Sequence, residues 1–263
     1  MDMLQYFSGF DIHKVWLFFL GVLSLRYFLI AGLAFVVFYV IRKKKWQYKR
    51  IQFDFPSVND YRREILYSIF TFAFFALVGV FLIFGPIAPY TLKYASISDK
   101  GWAYYVLSII LMIFLHDAYF YWTHRLMHNP KLFSFFHKVH HQSTNPSPWA
   151  AFSFHPLEAI VEAGIIGFIV FLIPFHSSAV MTFLFIMTMD NVMGHLGYEI
   201  FPKGMNRHWL GKWVNTSVNH NMHHKYFHGN YGLYFTLWDR VMGTLRPEYD
   251  KMYDEVTRRR DSK

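Results

Sequence analysis

Cysteine is absent from the 263 residues. Without thiols the chain has no disulfide and no thiolate ligand for zinc, for an iron–sulfur cluster or for a P450-type haem iron. Charge is scarce too: Asp, Glu, Lys and Arg together make up 16% of the residues, against 54% hydrophobic and 21% aromatic. That balance is too apolar for an ordinary water-soluble domain. Acidic residues are the rarer sign, 17 against 26 basic ones, for a formal net charge of +9. The cations gather in loops between apolar stretches, which points to a membrane surface before nucleic acid. No cleavable leader is evident, because the N-terminus is acidic and its first apolar run lacks a small-residue cleavage site. Repeats and low-complexity tracts are missing as well, apart from one duplicated histidine spacing.

What remains is a series of long apolar segments. Residues 1–13 form a short polar and aromatic lead. The stretch 16–41 is nearly continuous apolar sequence interrupted by Arg26. A span needs about twenty apolar residues. Residues 22–41 supply them, with Arg26 close enough to one end to snorkel and the run before it lying in the interface. RKKKWQYKR, residues 42–50, follows directly and reads as a cytoplasmic anchor. After a polar linker over 51–64, a second span is expected over 65–84, ended by Gly85-Pro86 and Pro89, and a third over 102–122. Residues 156–173 and 178–194 read as a helical hairpin about the turn 174–177. From Tyr198 onward the chain is polar and basic. The expectation is an all-α integral membrane protein with about three spans, a helical hairpin and a His-rich helical cap. Residues 1–64 are expected to form an N-terminal span with its basic linker, and residues 65–263 the part that carries the histidine boxes.

The cap is defined by histidine. In HDAYFYWTHRLMHNPKLFSFFHKVHH, residues 116–141, His124 and His128 stand four apart on one helical face. His137, His140 and His141 follow at i, i+3 and i+4, so all three imidazoles are expected to converge on one point. His220, His223 and His224 repeat that H-x-x-H-H spacing, and His195 precedes them. With 42–50 cytoplasmic, alternation of the spans brings all nine of these histidines, and His155, to the cytoplasmic face. His13 and His176 fall on the far side, and His208 has no assigned role. Nine imidazoles exceed what one ion takes, whereas two ions with four or five ligands each would use them and leave positions open. Nitrogen ligation suits iron, copper, zinc or nickel and excludes magnesium and calcium.

HDAYFYWTHRLMH, FHKVHH, SFHPLE, HLGYE and NHNMHHKYFHGNYG followed by LWDRVMGT resemble the membrane fatty-acid hydroxylase / sterol desaturase superfamily over about 116–246, roughly half of the chain. The resemblance implies a non-haem di-iron centre held by His124, His128, His137, His140, His141, His195, His220, His223 and His224. It also implies use of O2 and two electrons to hydroxylate or desaturate a lipid C–H bond, with zinc able to occupy the same sites during overexpression. Asn230, Tyr231, Gly232, Trp238 and Asp239 match the family's tail as packing and orienting residues. Asp117, on the face of His124, is expected either to accept a hydrogen bond from a ligand imidazole or to pair with Arg125. His155 and Glu158, from the H-P-x-E stretch, are expected to support the ligands or line the pocket, with His155 also a candidate ligand. His116 reads as a satisfied buried group, Glu162 as a capping or pairing residue, and His228 carries little weight.

The expected partners are a lipid substrate, the membrane and an external electron donor, a reductase with cytochrome b5 or ferredoxin, because no H-P-G-G, dinucleotide or ferredoxin motif is present. That donor would dock on basic residues around 203–212; nucleic acid is not expected. A metal-dependent membrane lipid hydrolase and a metal transporter are the alternatives. A transporter predicts histidines strung through the bilayer depth. The expected location is a bacterial inner membrane, or the endoplasmic reticulum in a eukaryote. Oligomeric state, substrate and the choice between hydroxylation and desaturation are not encoded in the spacing.

Overall fold

A computed structural model describes residues 11–259; most of the expected lead over 1–13 lies outside them. Asp11 accepts the His13 amide and opens α1, Ile12–Phe35, which continues through a wider π turn, Val36–Ile41, as one apolar helix of 30 residues. At 1.5 Å per residue that is about 45 Å, long enough to cross a bilayer. The interfacial run and the span expected over 22–41 are therefore one helix. Arg26 sits near its middle rather than close to one end.

α2, Val58–Phe84, starts on a capping box in which Ser57 and Asp60 bond each other's backbone amides, and it stops at Gly85 before Pro86. α3 runs over Gly101–Met127. These three helices are the ones long and apolar enough to cross a membrane among the described residues. Their outer faces carry exposed Leu25, Leu29, Leu33, Phe70, Leu77 and Phe114, a surface fitted to lipid rather than water. Two helices form on either side of the expected turn, and both pack on α3. α6, Pro156–Leu172, starts with Pro at its first position behind the His155 cap, and α7, Ser177–Gly194, is capped by His176.

The cap packs at one end of these helices. It contains α4, Pro130–Phe136; α5, Lys138–His141; α8, Ser217–Tyr226; α9, Leu237–Val241; and α10, Tyr249–Arg258. No strand occurs among the described residues, only isolated bridges such as Arg50 with Tyr198. The all-α expectation holds.

Two details of the N-terminal part differ from expectation. Residue 64 lies inside α2, so 64/65 is not a break in the fold. Arg50, read as part of a surface anchor, is fully buried. Its guanidinium donates to the carbonyls of Gln52 and Asp54 and packs over Tyr39, Phe55 and Tyr198. Tyr39 Oη donates to the Leu196 carbonyl at 3.0 Å, and Tyr27 Oη to that of Trp149 at 2.7 Å. Such bonds weld α1 to the segments that flank the histidines, around a core containing Tyr27, Ala31, Phe72, Phe152, Ala159 and Met187.

Candidate metal centre

α3 ends with His124 one turn before His128, its C-cap. Asn129 and Pro130 then turn the chain into α4, and His137 links α4 to α5. α8 carries His220, His223 and His224. His195 caps the C-terminus of α7. None of the nine rings is more than 8% exposed, which rules out ordinary surface histidines. They pool at one end of the long helices instead of stringing through them, unlike the arrangement a transporter predicts.

The nine rings form two groups. His124, His128, His137, His141 and His223 make the first; His140, His195, His220 and His224 make the second, with the donor nitrogens of each group within 4.8 Å of one another. Each H-x-x-H-H box is therefore shared between the groups, and the expected convergence of all three rings on one point does not occur. Helix geometry gives the reason. Residues i and i+4 lie about 40° apart around the axis, whereas neighbours lie about 100° apart. His137 and His141 accordingly face the first group while His140 turns to the second. In α8 the sense is reversed: His220 and His224 face the second and His223 the first.

Tautomers test whether metal fits. His124 Nδ1 donates to the Tyr231 carbonyl at 2.9 Å, His223 Nδ1 to that of Gly229 at 2.8 Å and His195 Nδ1 to that of Asn191 at 2.7 Å. His137 Nδ1 donates to Glu158 Oε1 at 2.6 Å. A neutral ring that donates from Nδ1 presents a bare lone pair at Nε2. Yet His124 and His137 bring their Nε2 atoms to 2.9 Å of each other. Two facing lone pairs at that separation repel unless a cation lies between them. At an imidazole–metal distance of about 2.1 Å, adjacent ligands at right angles stand roughly 3.0 Å apart. The Nε2 pairs His128–His223 at 3.1 Å, His141–His223 at 3.0 Å, His195–His220 at 3.0 Å and His195–His224 at 3.1 Å match that spacing. Burial first, then the crowd of neighbouring imidazoles, pushes His128, His137, His140, His141, His220, His223 and His224 below the ordinary histidine range; His195 falls to about 4. Rings held neutral in this way are ready for metal.

The supporting residues differ in part from expectation. Glu158 holds the imidazole of His137, a candidate ligand, and is itself buried. Asp117 holds none, and it does not pair with Arg125, whose guanidinium donates to Tyr121 Oη. Instead Asp117 Oδ1 accepts the amides of Tyr234 and Phe235 at 2.9 and 3.1 Å. It pins the segment that follows the last box. Asp239 does the same upstream, accepting from Tyr231 and Gly232 at 2.9 and 2.8 Å. His155 belongs to neither histidine group; it caps α6 and accepts the Leu157 amide. His116 is buried with Nδ1 2.9 Å from Tyr234 Oη. Glu162 neither caps nor pairs but lines a cavity. His228 is exposed.

Glu64 was missed because it stood at the end of a polar linker. It is fully buried, accepting Ser143 Oγ at 2.8 Å and Ser147 Oγ in a shorter bond, and so anchors the exit from the second box. The carbonyls of Asn191, Gly229 and Tyr231 leave no trace in residue type. A positive φ of 58° to 77° at Phe227, Gly229 and Asn230 aims two of them, and a Cβ on Gly229 would approach the Thr244 carbonyl oxygen to 2.6 Å.

Below the cages an apolar cavity opens between α1, α2, α3, α6 and α7. Phe120 and Phe154 line it and also pack against His124 and His140, with ring centroids 4.8 and 5.1 Å away. Gly79, Ile83, Ile166, Val180 and Met181 join it to an outer cavity of about 550 Å³.

The fatty acid hydroxylase family model matches residues 109–244. The chain belongs to that family. Its curated relatives include a Delta(7)-sterol 5(6)-desaturase of Gibberella zeae, 32% identical over 75% of this chain and 61% of that protein. A second Delta(7)-sterol 5(6)-desaturase, of Aspergillus fumigatus, is 32% identical over 75% of this chain and 68% of its own length. The lathosterol oxidase of Rattus norvegicus is 29% identical over 72% of this chain and 62% of that protein. The chain thus spans somewhat over three fifths of the length of these relatives. No solved structure matches it significantly.

Proposed function

We propose that this chain is a membrane-bound, O2-dependent oxidoreductase that hydroxylates or desaturates a C–H bond of a sterol or similar lipid at a pair of irons. The observation that carries the reading is the pairing of two all-nitrogen cages with an apolar cavity whose walls, Phe120 and Phe154, touch a ring of each cage. The names of the relatives support the substrate class.

His124, His128, His137, His141 and His223 would hold one iron; His140, His195, His220 and His224 would hold the other. Bound there, the pair would supply the oxidising chemistry from O2. Hydroxylation consumes one O2, two electrons and two protons, and gives the alcohol and one water; desaturation gives the alkene and two waters. The protein's part is to seat the lipid in the apolar cavity, fix the ring tautomers through Glu158 and the three carbonyls, and exclude water behind the aromatic wall. The electrons come from a separate reductase system. Its docking face includes Lys203 and Lys212, on the side of the cap that with residues 42–50 faces the cytosol.

The test is turnover of a deuterated sterol by anaerobically purified, iron-loaded protein under 18O2, with a reductase system. The expected result is O2 uptake coupled to loss of deuterium, from one carbon with 18O in the alcohol for hydroxylation, or from two adjacent carbons for desaturation. Product without O2 uptake would point to hydrolysis and overturn the reading. Charge reversal at Lys203 and Lys212 should slow turnover several-fold with iron content unchanged; unaltered turnover would place the docking face elsewhere.

A further inference from the structure

Arg26 is the group that membrane burial and metal binding leave unexplained. A cation in the apolar part of a bilayer is costly, and such residues normally face a partner or a cavity. Arg26 faces a cavity. Phe19, Val22, Leu23 and Arg26 stand at i, i+3, i+4 and i+7 on α1 and together line the inner chamber. The Nε atom of Arg26 is buried with no hydrogen-bond partner, and no salt bridge reaches the guanidinium among the described residues. Tyr39, thirteen residues further along, marks the level of the cages through its bond to Leu196, the neighbour of His195. Arg26 therefore lies about 20 Å of helix rise below that level, inside the apolar stretch of α1.

The other polar groups of the chamber do not satisfy it. His116 is bonded to Tyr234 Oη, and the Asn191 side chain donates to the Ala151 carbonyl. Glu162 also lines the chamber, and no ion pair joins it to Arg26 among the described residues. The remaining lining is apolar. A fixed donor of several N–H groups in an otherwise greasy chamber selects an occupant with one oxygen-bearing end.

We propose that Arg26 is a specificity-determining residue that binds the oxygen-bearing end of an otherwise apolar lipid, and so sets the register in which the lipid lies against the cages. The shared chemistry is a hydrogen-bond-accepting oxygen on a hydrocarbon body; a sterol hydroxyl and a fatty-acid carboxylate are its two sources. The inference rests on the lipid-oxidising reading for the identity of the cavity's occupant, but its readout is binding.

The test is equilibrium binding to the purified full-length, metal-loaded chain, with two matched pairs of probes: lathosterol against its 3-deoxy analogue, and palmitic acid against hexadecane. Wild type should prefer the oxygenated member of one pair by about tenfold or more, as a charge-assisted hydrogen bond allows; the pair that shows the preference identifies the source. Arg26→Met should bring that preference within about twofold while leaving the deoxygenated probe bound as before, and Arg26→Lys should retain part of it. Should Arg26→Met fail to fold, judged by metal content, Arg26→Gln makes the same comparison with a neutral polar side chain. No preference in wild type, or a preference that survives Arg26→Met or Arg26→Gln, would overturn the proposal. Either result leaves the oxidation reading intact. A chain that shows the preference yet takes up no O2 would overturn the oxidation reading alone.

Discussion

The two cages are built from the same side chain and held to different degrees. In the first, three of five rings have Nδ1 fixed: His124 by the Tyr231 carbonyl, His223 by that of Gly229 and His137 by Glu158. In the second, one of four is held, His195 by the Asn191 carbonyl, while the Nδ1 atoms of His140 and His224 are buried without a partner, as is that of His141 in the first. An outer partner fixes tautomer and ring orientation and raises ligand basicity. The first cage should therefore bind its ion more tightly and more rigidly, and the second should be the one that yields. A centre with one firm and one pliant half can keep an ion in place while changing the arrangement around the other.

The largest effects should come from breaking one cage at a time. His137→Ala and His140→Ala alter residues three apart in one box, yet each should remove one of the two ions and cut turnover by more than about a hundredfold, since both ions are required. Metal analysis of the purified variants checks this. Loss of both ions from either variant would mean that the cages do not fold independently. Next in size, Glu158→Ala frees His137 Nδ1 and should weaken metal binding in the first cage by about 10- to 100-fold, with little change in the second. Competition with a chelator of known affinity reads that difference. A smaller effect is expected on release. The ion left in His137→Ala sits in the loosely held cage and should be stripped about tenfold faster than the ion left in His140→Ala. Equal rates would mean that the two cages hold their ions equally firmly. The mildest change should be Asp117→Ala. It orphans the Tyr234 and Phe235 amides, at a cost on the order of 1–3 kcal/mol each, and should lower the thermal midpoint while both ions remain bound.

The spacing of the boxes named all nine rings that gather at one end of the long helices, because i, i+4 pairs are short-range features of helical geometry. How the rings are divided was not legible as a single shared point. The opposite turn of His140 and His223 emerges only when adjacent positions are set about 100° apart on helices whose relative placement is known. Asp117 shows a second limit. Its position on the His124 face suggested a bond to an imidazole, but the tertiary fold brought the Tyr234 and Phe235 amides closer. Arg26 and Glu64 show a third, since each was placed by where an apolar run was taken to begin. Extending α1 back to Ile12 and α2 to Val58 moved both from an edge into the interior. Backbone carbonyls, which orient three of the nine rings, carry no residue signature at all.

The division of each box between two ions is most directly tested by anomalous diffraction at the iron edge, on crystals of protein purified anaerobically with iron. The account predicts two peaks per chain, one within bonding distance of His137 Nε2 and His141 Nε2, the other of His140 Nε2 and His195 Nε2. A single peak ringed by His137, His140 and His141 together would contradict it.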